Sequence, residues 1–247
     1  MDARKRFEQA LDRVVNNERR REGIGTLGEK TLHAVLKYFY EEDDAFHEVK
    51  LGGFYADIAR NGSVIEIQTG SFYPLRKKLD QFLVSCRVTV VHPIAVNKTL
   101  CWIDPESGQI VSKRLLSKKG RIYDVLKVLP AIKELIDDEN FTLTLIMLDI
   151  EEYRLLDGRD STRKRRATKL EKLPTAYVEE IVFQEKRDYM MLLPDVLGNT
   201  FTFAEFQKAV RLQRVAAHRA LKLFLDLGFV RLSHKEGNKH IYEISEI

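Results

Sequence analysis

The sequence predicts an α/β protein: a mixed sheet flanked by helices, followed by a smaller and mostly helical domain. Two observations predict it. Short strand-like segments alternate with amphipathic helices over the first part of the chain, and after a basic segment the pattern changes to short helices followed by two strands around a tight turn. We therefore expect a domain over 1–158, a basic linker over 159–175 and a second domain over 176–247.

Apolar periodicity and turn residues give the individual elements. An apolar stripe defines the second helix, and Pro74 stands where a third helix can begin. The predicted helices span 3–21, 28–40, 74–85, 121–138, 176–193, 202–211 and 213–227. The predicted strands span 46–51, 54–60, 63–69, 87–96 and 141–150, with hairpins over 99–115 and around Glu236-Gly237-Asn238.

Composition restricts the function classes. No apolar run approaches the length of a membrane span, and the N-terminal residues lack the apolar stretch of a secretory signal, so we expect a soluble, cytoplasmic protein with no membrane partner. Cys86 and Cys101 lack metal-ligand spacing and are expected to be reduced thiols, and the histidines form no zinc motif. The net charge of +4 does not by itself demand a nucleic-acid partner.

A glycine motif over 23–28, G-I-G-T-L-G, matches the dinucleotide fingerprint GxGxxG. That motif requires a buried strand directly before the glycines, and the charged residues 16–22 cannot supply one. The glycines are better explained as the turn that starts the second helix, and no nucleotide cofactor is expected.

The central chemical feature is a predicted hairpin over 55–68. Asn61-Gly62 between two strand-like runs is a strong signal for a two-residue turn, which fixes the register of the flanking strands. Counting outward from the turn places Asp57 directly opposite Glu66, and strand alternation puts Gln68 on the same face as Glu66. Opposed carboxylates destabilise a sheet unless a cation neutralises them.

A third acid, Glu29, lies in the first turn of the second helix on its core-facing side. If that helix packs on the sheet, Glu29 approaches the other two carboxylates, and oxygen ligands of this kind suit Mg²⁺ or Mn²⁺. The alternative is that Asp57 and Glu66 are exposed strand charges and that Glu29 is a helix-start residue.

This arrangement resembles the PD-(D/E)XK, or restriction-endonuclease-like, nuclease superfamily. The core of that superfamily has the order helix, three strands, helix, strand, and residues 28–96 are similar to it. The superfamily motif is an acid on the second strand followed by (D/E)-x-K on the third, and the matching residues here are Asp57 and Glu66-Ile67-Gln68. The helical acid of Holliday-junction resolvases is matched by Glu29. The resemblance implies that Asp57 and Glu66 bind the metal directly, with the Ile67 carbonyl as a third ligand.

The resemblance further implies that Glu29 binds a second metal or a metal-bound water and that Gln68 orients the attacking water. The family lysine is replaced by Gln68, which carries no charge. Some restriction enzymes of this fold have glutamine there, so activity is compatible with it. The missing positive charge is expected from Lys50, Lys77 or Lys78.

The helix–helix–hairpin order at the C-terminus resembles a winged helix. One face of its last helix carries cations suited to phosphates and base edges, and the hairpin adds two lysines for backbone contacts. These candidate DNA-binding residues are Arg211, Arg214, His218, Lys222, Lys235 and Lys239. The alternative for this face is an ordinary solvated helix surface. The segment 159–172 has seven Lys or Arg against two acids and is interpreted as an exposed connector or a phosphate-contacting arm.

Two functions of different classes follow. The first is a Mg²⁺-dependent DNA endonuclease directed to DNA by a winged helix. The second is a DNA-binding regulator without catalytic activity, in which a degenerate nuclease fold is a platform for dimerisation or a partner. The three acids favour the first and Gln68 favours the second. RNA as substrate and assembly as a homodimer are left open.

Overall fold

The computed structural model of the chain describes residues 2–19, 30–157 and 167–245. Its α-helices are α1 (Ala3–Arg19), α2 (Lys30–Tyr40), α3 (Arg76–Phe82), α4 (Phe203–Val210) and α5 (Arg214–Asp226). Its strands are β1 (His47–Leu51), β2 (Phe54–Arg60), β3 (Ser63–Ile67), β4 (Arg87–Ile103), β5 (Ile110–Leu115), β6 (Phe141–Leu155), β7 (Thr168–Phe183), β8 (Thr200–Thr202), β9 (Val230–Glu236) and β10 (Lys239–Ile244). Short 3-10 helices lie at Asp44–Phe46, Tyr73–Leu75, Ile122–Lys127, Leu129–Leu135 and Lys186–Leu192.

A large mixed sheet flanked by helices is the main feature of the fold. Its strand order is β1-β2-β3-β4-β6-β7, with β5 paired to the distal part of β4. A separate three-stranded sheet has the order β8-β10-β9. The predicted α/β class is confirmed at this level. No helix in the described parts of the chain combines the length and apolarity needed to cross a bilayer.

The chain divides into two compact units that are each discontinuous in sequence. The first consists of Met1–Thr69, Val91–Arg121 and Leu145–Ile181, and the second of Gly70–Val90, Ile122–Thr144 and Val182–Ile247. This division differs from the contiguous domains expected over 1–158 and 176–247, because strands β4, β6 and β7 each contribute residues to both units.

The core of the first unit lies between its first two helices and the sheet. The predicted stripe of α2 (Leu32, Val35, Leu36 and Phe39) is buried, as are Phe7, Ala10 and Val14 of α1. They pack with sheet residues that include Ile58, Ile67 and Ile146. At the end of α2, the Tyr40 hydroxyl donates to the Glu180 carboxylate of β7, and burial together with that carboxylate raises the pKa of Tyr40. α2 is therefore held against the sheet by its apolar stripe and by the Tyr40 contact at its C-terminal end.

The prediction of a helix over 176–193 was wrong. Residues up to Phe183 belong to β7, which also contains residues 168–175 of the predicted linker, and a 3-10 helix follows. The acids and basic residues of this stretch suggested a helix, whereas Val178, Ile181 and Val182 favour a strand. β7 is the last strand of the sheet order, where Pro174 can be accommodated.

The prediction of one helix over 121–138 was also wrong. Two 3-10 helices occupy this stretch, and Pro130 stands in the first turn of the second. Proline has no amide hydrogen and its ring disfavours a helical residue before it, so a continuous α-helix is interrupted there.

The C-terminal part of the second unit agrees with the predicted helices and hairpin. α4 begins with a capping box between Thr202 and Glu205, and β9 and β10 turn at Gly237. Buried aromatic rings, including Phe201, Phe206 and Phe224, form its core. Within the same unit α5 also packs on the 3-10 helices of 122–135, and Lys133 binds Asp226 at 2.5 Å.

Candidate functional site

Two consecutive two-residue hairpins set the register of β1, β2 and β3. Asn61 and Gly62 both have positive φ, 50° and 74°, as the favoured hairpin turn requires. The turn pairs Arg60 with Ser63 and Ile58 with Ile65, which is the predicted register. The other turn, at Gly52-Gly53, pairs Leu51 with Phe54 and Val49 with Ala56.

Asp57 and Glu66 come together one step beyond the last paired residues of β2 and β3. The Asp57 amide donates to Glu66 Oε1 at 3.3 Å, and the Ile67 amide donates to Asp57 Oδ2 at 2.7 Å. Each carboxylate therefore accepts from the backbone of the opposite strand. The Glu66 side chain is buried, with 1% of its surface exposed, and Asp57 is 14% exposed. The alternative reading of these two acids as exposed strand charges was wrong.

A third carboxylate, Glu48, stands on the other side of Asp57. The register that pairs His47 with Ile58 and Val49 with Ala56 places Glu48 opposite Asp57. Glu48 has a φ of 51°, a left-handed conformation that costs a residue other than glycine roughly 1–2 kcal/mol. Glu48, Asp57 and Glu66 thus occupy one row across three neighbouring strands. The sequence analysis missed Glu48, although the Gly52-Gly53 turn allows the same outward count that located Glu66.

Helix α2 contributes two side chains, one helical turn apart, to this row. His33 Nε2 lies 3.2 Å from Asp57 Oδ2, and Lys37 Nζ lies 2.6 Å from Glu48 Oε1. Both are largely shielded, with 28% and 16% of their side chains exposed. Ligand atoms of His33, Glu48 and Asp57 all lie within 4.8 Å of one another. We call Glu48, Asp57, Glu66, His33 and Lys37 the carboxylate cluster.

Gln68 is held at the edge of this cluster through its backbone. Its amide donates to the Val91 carbonyl at 2.9 Å, and its carbonyl accepts from Nδ1 of the buried His92 at 2.6 Å. This contact makes Nδ1 the protonated nitrogen of His92. The residue that replaces the family lysine therefore sits in a fixed stretch of backbone between β3 and β4.

The predicted charge donors take other positions. Lys50 is exposed and pairs across the hairpin with Tyr55, whose side chain is also exposed. Lys77 and Lys78 lie on α3 in the second unit, where Lys78 Nζ lies 5.9 Å from the centre of the Phe82 ring. The Lys37 ammonium, on α2, forms an ion pair with the Glu48 carboxylate of the cluster. Glu29 and the glycine motif of 23–28 lie outside the described residues, as do residues 158–166 of the basic segment.

The predicted DNA-binding residues are exposed in the second unit. Arg214 and His218 project from α5, and Arg211 ends α4 in a left-handed conformation with a φ of 51°. The His218 ring stacks on Phe203 with centroids 3.7 Å apart. Lys222 is paired with Asp226 at 3.0 Å, so part of its charge is already neutralised. Lys235 and Lys239 flank the tip of the β9–β10 hairpin.

The donor set of the carboxylate cluster fits a divalent cation. Carboxylate oxygens bind Mg²⁺ and Mn²⁺, and an imidazole nitrogen binds transition-metal ions. Ligands of one such ion lie about 2.0–2.2 Å from it and therefore at most about 4.4 Å apart. The separations of up to 4.8 Å need side-chain adjustments of only a few tenths of an ångström.

Comparison with known proteins identifies a family but no activity. An uncharacterized protein of Treponema pallidum (strain Nichols) is 26% identical over 144 residues, which cover 58% of this chain and 57% of that protein. The chain thus matches little more than half the length of this relative. No solved structure matches. The family model described as "Domain of unknown function (DUF8091)" matches residues 30–184, more than half of the chain and all the described residues of the carboxylate cluster, and the chain therefore belongs to this family.

Proposed function

We propose that this protein is a divalent-cation-dependent nuclease that hydrolyses phosphodiester bonds in DNA. The observation that carries the proposal is the contact between Asp57 and Glu66, whose carboxylates are held by each other's strand in the register expected for a metal site. Carboxylate oxygens that converge at one place are ligands that divalent cations prefer, and a bound cation can be used for hydrolytic chemistry. The arrangement resembles PD-(D/E)XK nucleases in its two strand acids.

Asp57 and Glu66 would hold the cation, together with the Ile67 carbonyl. When bound, the cation polarises the scissile phosphate and lowers the pKa of a coordinated water. Asp57 already accepts from the Ile67 amide, so its carboxylate is oriented before any ligand binds, which reduces the reorganisation needed for reaction. Gln68 would orient the attacking water. Glu29, four residues before His33 in the sequence, is retained as the candidate for a second metal or a metal-bound water.

Lys37 is the best candidate to supply the positive charge that Gln68 lacks. Its ammonium group lies 2.6 Å from Glu48, and its side chain is better shielded from water than the exposed Lys50. A shielded cation stabilises charge on a phosphate more strongly than an exposed one, because the surrounding dielectric is lower. Lys50, Lys77 and Lys78 remain the other candidates for this charge.

The second unit supports a DNA substrate. The succession of a 3-10 helix, β8, α4, α5 and the β9–β10 hairpin is typical of a winged helix, in which the last helix enters the major groove. Arg214 and His218 are exposed on that helix, and Lys235 and Lys239 are exposed on the hairpin. Cationic side chains in these positions suit phosphate contacts.

A DNA-binding regulator without catalysis is the second candidate. The His33–Asp57 contact and the Lys37–Glu48 ion pair favour it, since they give two of the carboxylates side-chain partners without any metal. The replacement of the lysine of PD-(D/E)XK nucleases by Gln68 also favours the regulator.

One assay separates the two candidates. Plasmid, branched and single-stranded DNA are incubated with the full chain in Mg²⁺, in Mn²⁺ and in a chelator. We expect cation-dependent cleavage of at least one substrate by the wild type and by the Glu106→Gln control, which changes an exposed turn residue. DNA that is bound but not cleaved under all conditions would establish the regulator instead.

A further inference from the structure

The carboxylate cluster contains one potential nitrogen ligand, the His33 imidazole, in addition to its carboxylate oxygens. His33 is on α2, Glu48 on β1 and Asp57 on β2, and one ligand atom from each lies within 4.8 Å of the other two. These residues come from three separate elements, so their convergence reflects the packing of α2 beside the hairpins. Glu66, on the other side of Asp57, is not part of this triad.

The chemistry of the triad differs from that of an all-oxygen site. Mg²⁺ prefers oxygen ligands and retains several waters, whereas imidazole nitrogen favours transition-metal ions. The His33 nitrogen already lies 3.2 Å from the Asp57 oxygen, with part of its ring open to solvent. An ion can therefore reach it without opening the core.

We propose that His33, Glu48 and Asp57 form a mixed nitrogen–oxygen site that makes the proposed nuclease selective for a transition-metal ion of the Mn²⁺ class over Mg²⁺. This inference rests on the proposed function for its role but makes a separate claim about binding. Asp57 is the shared residue, since it contacts His33 on one side and the Ile67 amide and Glu66 on the other. The triad thus provides a second cation position beside Glu66.

Lys37 competes with a metal ion for the Glu48 carboxylate of this site. Its ammonium group lies 2.6 Å from Glu48, so an ion bound by Glu48 competes with it. Glu48 is 55% exposed on its side chain and can turn between the two partners at low cost. An ion bound by Glu48 would free the Lys37 ammonium from this ion pair.

The test measures cation binding directly. Mn²⁺ and Mg²⁺ are titrated calorimetrically into the full-length wild type, His33→Ala, Glu48→Gln and the control His234→Ala, which removes an exposed histidine of the second unit. In parallel, the imidazole resonances are followed by nuclear magnetic resonance while substoichiometric Mn²⁺ is added. Thermal melting confirms that each variant is folded.

We expect Mn²⁺ to bind the wild type and His234→Ala at least about tenfold more tightly than Mg²⁺, and this preference to fall about tenfold in His33→Ala. Mn²⁺ should broaden the His33 resonances first. An unchanged Mn²⁺-to-Mg²⁺ ratio in His33→Ala, or broadening that spares His33, overturns the inference. If that happens while Asp57→Asn and Glu66→Gln, titrated in the same way, bind the cations more weakly than the wild type, the proposed function stands. If the wild type binds neither ion, both fail.

Discussion

The carboxylate cluster of the first unit and the cationic surface of the second are built on different principles. Asp57 and Glu66 of the cluster are shielded, accept hydrogen bonds from neighbouring backbone, and are positioned by strand register. The cations of α5 and the β9–β10 hairpin are exposed and are spread along the helix and strands that carry them. A single change should therefore disable the cluster, whereas the cationic surface should lose its effect in increments.

The largest effect is expected from the two strand acids. Asp57→Asn and Glu66→Gln keep size and an accepting oxygen but remove the charge that holds the cation, so cleavage should fall at least about a hundredfold. DNA binding in a chelator should be unchanged, because the cationic surface is intact. Cleavage rates and fluorescence-anisotropy titrations measure the two effects separately.

The isosteric variants are better tests than alanine here. Alanine at Asp57 also removes the acceptor of the Ile67 amide, which costs about 1–3 kcal/mol in a shielded position, so a loss of activity could reflect local unfolding. Variants that melt like the wild type and cleave DNA at the wild-type rate would contradict the nuclease proposal.

The second-largest loss of cleavage is expected when the charge of Lys37 is removed. Lys37→Gln should lower cleavage about 10–100-fold, since one preorganised charge is lost, while the exposed Lys50→Gln should change it little. Adding Gln68→Lys to Lys37→Gln should restore part of the activity by returning a cation to the family position. A Lys50→Gln variant more impaired than Lys37→Gln would reverse the assignment.

A smaller, graded effect is expected on the cationic surface. Arg214→Ala should weaken DNA binding and lower the slope of log K against log salt by roughly one, because one phosphate contact is lost. Lys222→Ala should do less, because Lys222 is already paired with Asp226. Arg219→Ala is the matched control, since Arg219 is exposed on the same helix about 140° around the axis from Arg214.

Equal losses in binding for Arg214→Ala and Arg219→Ala would mean that the predicted face of α5 does not contact DNA. Cleavage at saturating DNA should survive in all three variants, because the charges changed are not part of the carboxylate cluster.

The smallest effect is on stability. Glu48→Asn places a residue that tolerates the left-handed region where Glu48 has a φ of 51°. It also removes the ion pair with Lys37, in which the Glu48 side chain is 55% exposed. We expect the free energy of unfolding to rise by about 0.5 kcal/mol or less while cleavage declines. Chemical denaturation measures the first. A clear destabilisation would show that the Lys37–Glu48 pair outweighs the backbone strain.

The register of the cluster could be predicted from the sequence because two-residue turns leave little freedom. Asn61-Gly62 alone places Asp57 beside Glu66, and this prediction was confirmed. Glu48 was equally predictable from Gly52-Gly53 and was overlooked. The contributions of His33 and Lys37 were not predictable, because they depend on how α2 packs on the sheet, and periodicity identifies the buried face of a helix but not what its flanking residues contact.

Other parts failed for physical reasons specific to each segment. In β7 the charged residues suggested a helix, but the β-branched residues pair at the sheet edge. Tertiary pairing overrides local propensity in such strands. The discontinuous division into units could not be read from composition, because segments such as Gly70–Val90 join the second unit through contacts distant in sequence.

The two tight turns between β1 and β2 and between β2 and β3 also restrict where the chain can accept inserted or deleted residues. Surface loops usually accept insertions and deletions, but one residue added at Gly52-Gly53 or at Asn61-Gly62 would shift β2 relative to its neighbour and send the acids of one strand to the opposite side of the sheet. Insertions between Ile110 and Lys119, on the exposed strand β5 and beyond, carry no such penalty. Length variation among family members should therefore spare both turns even where their side chains differ.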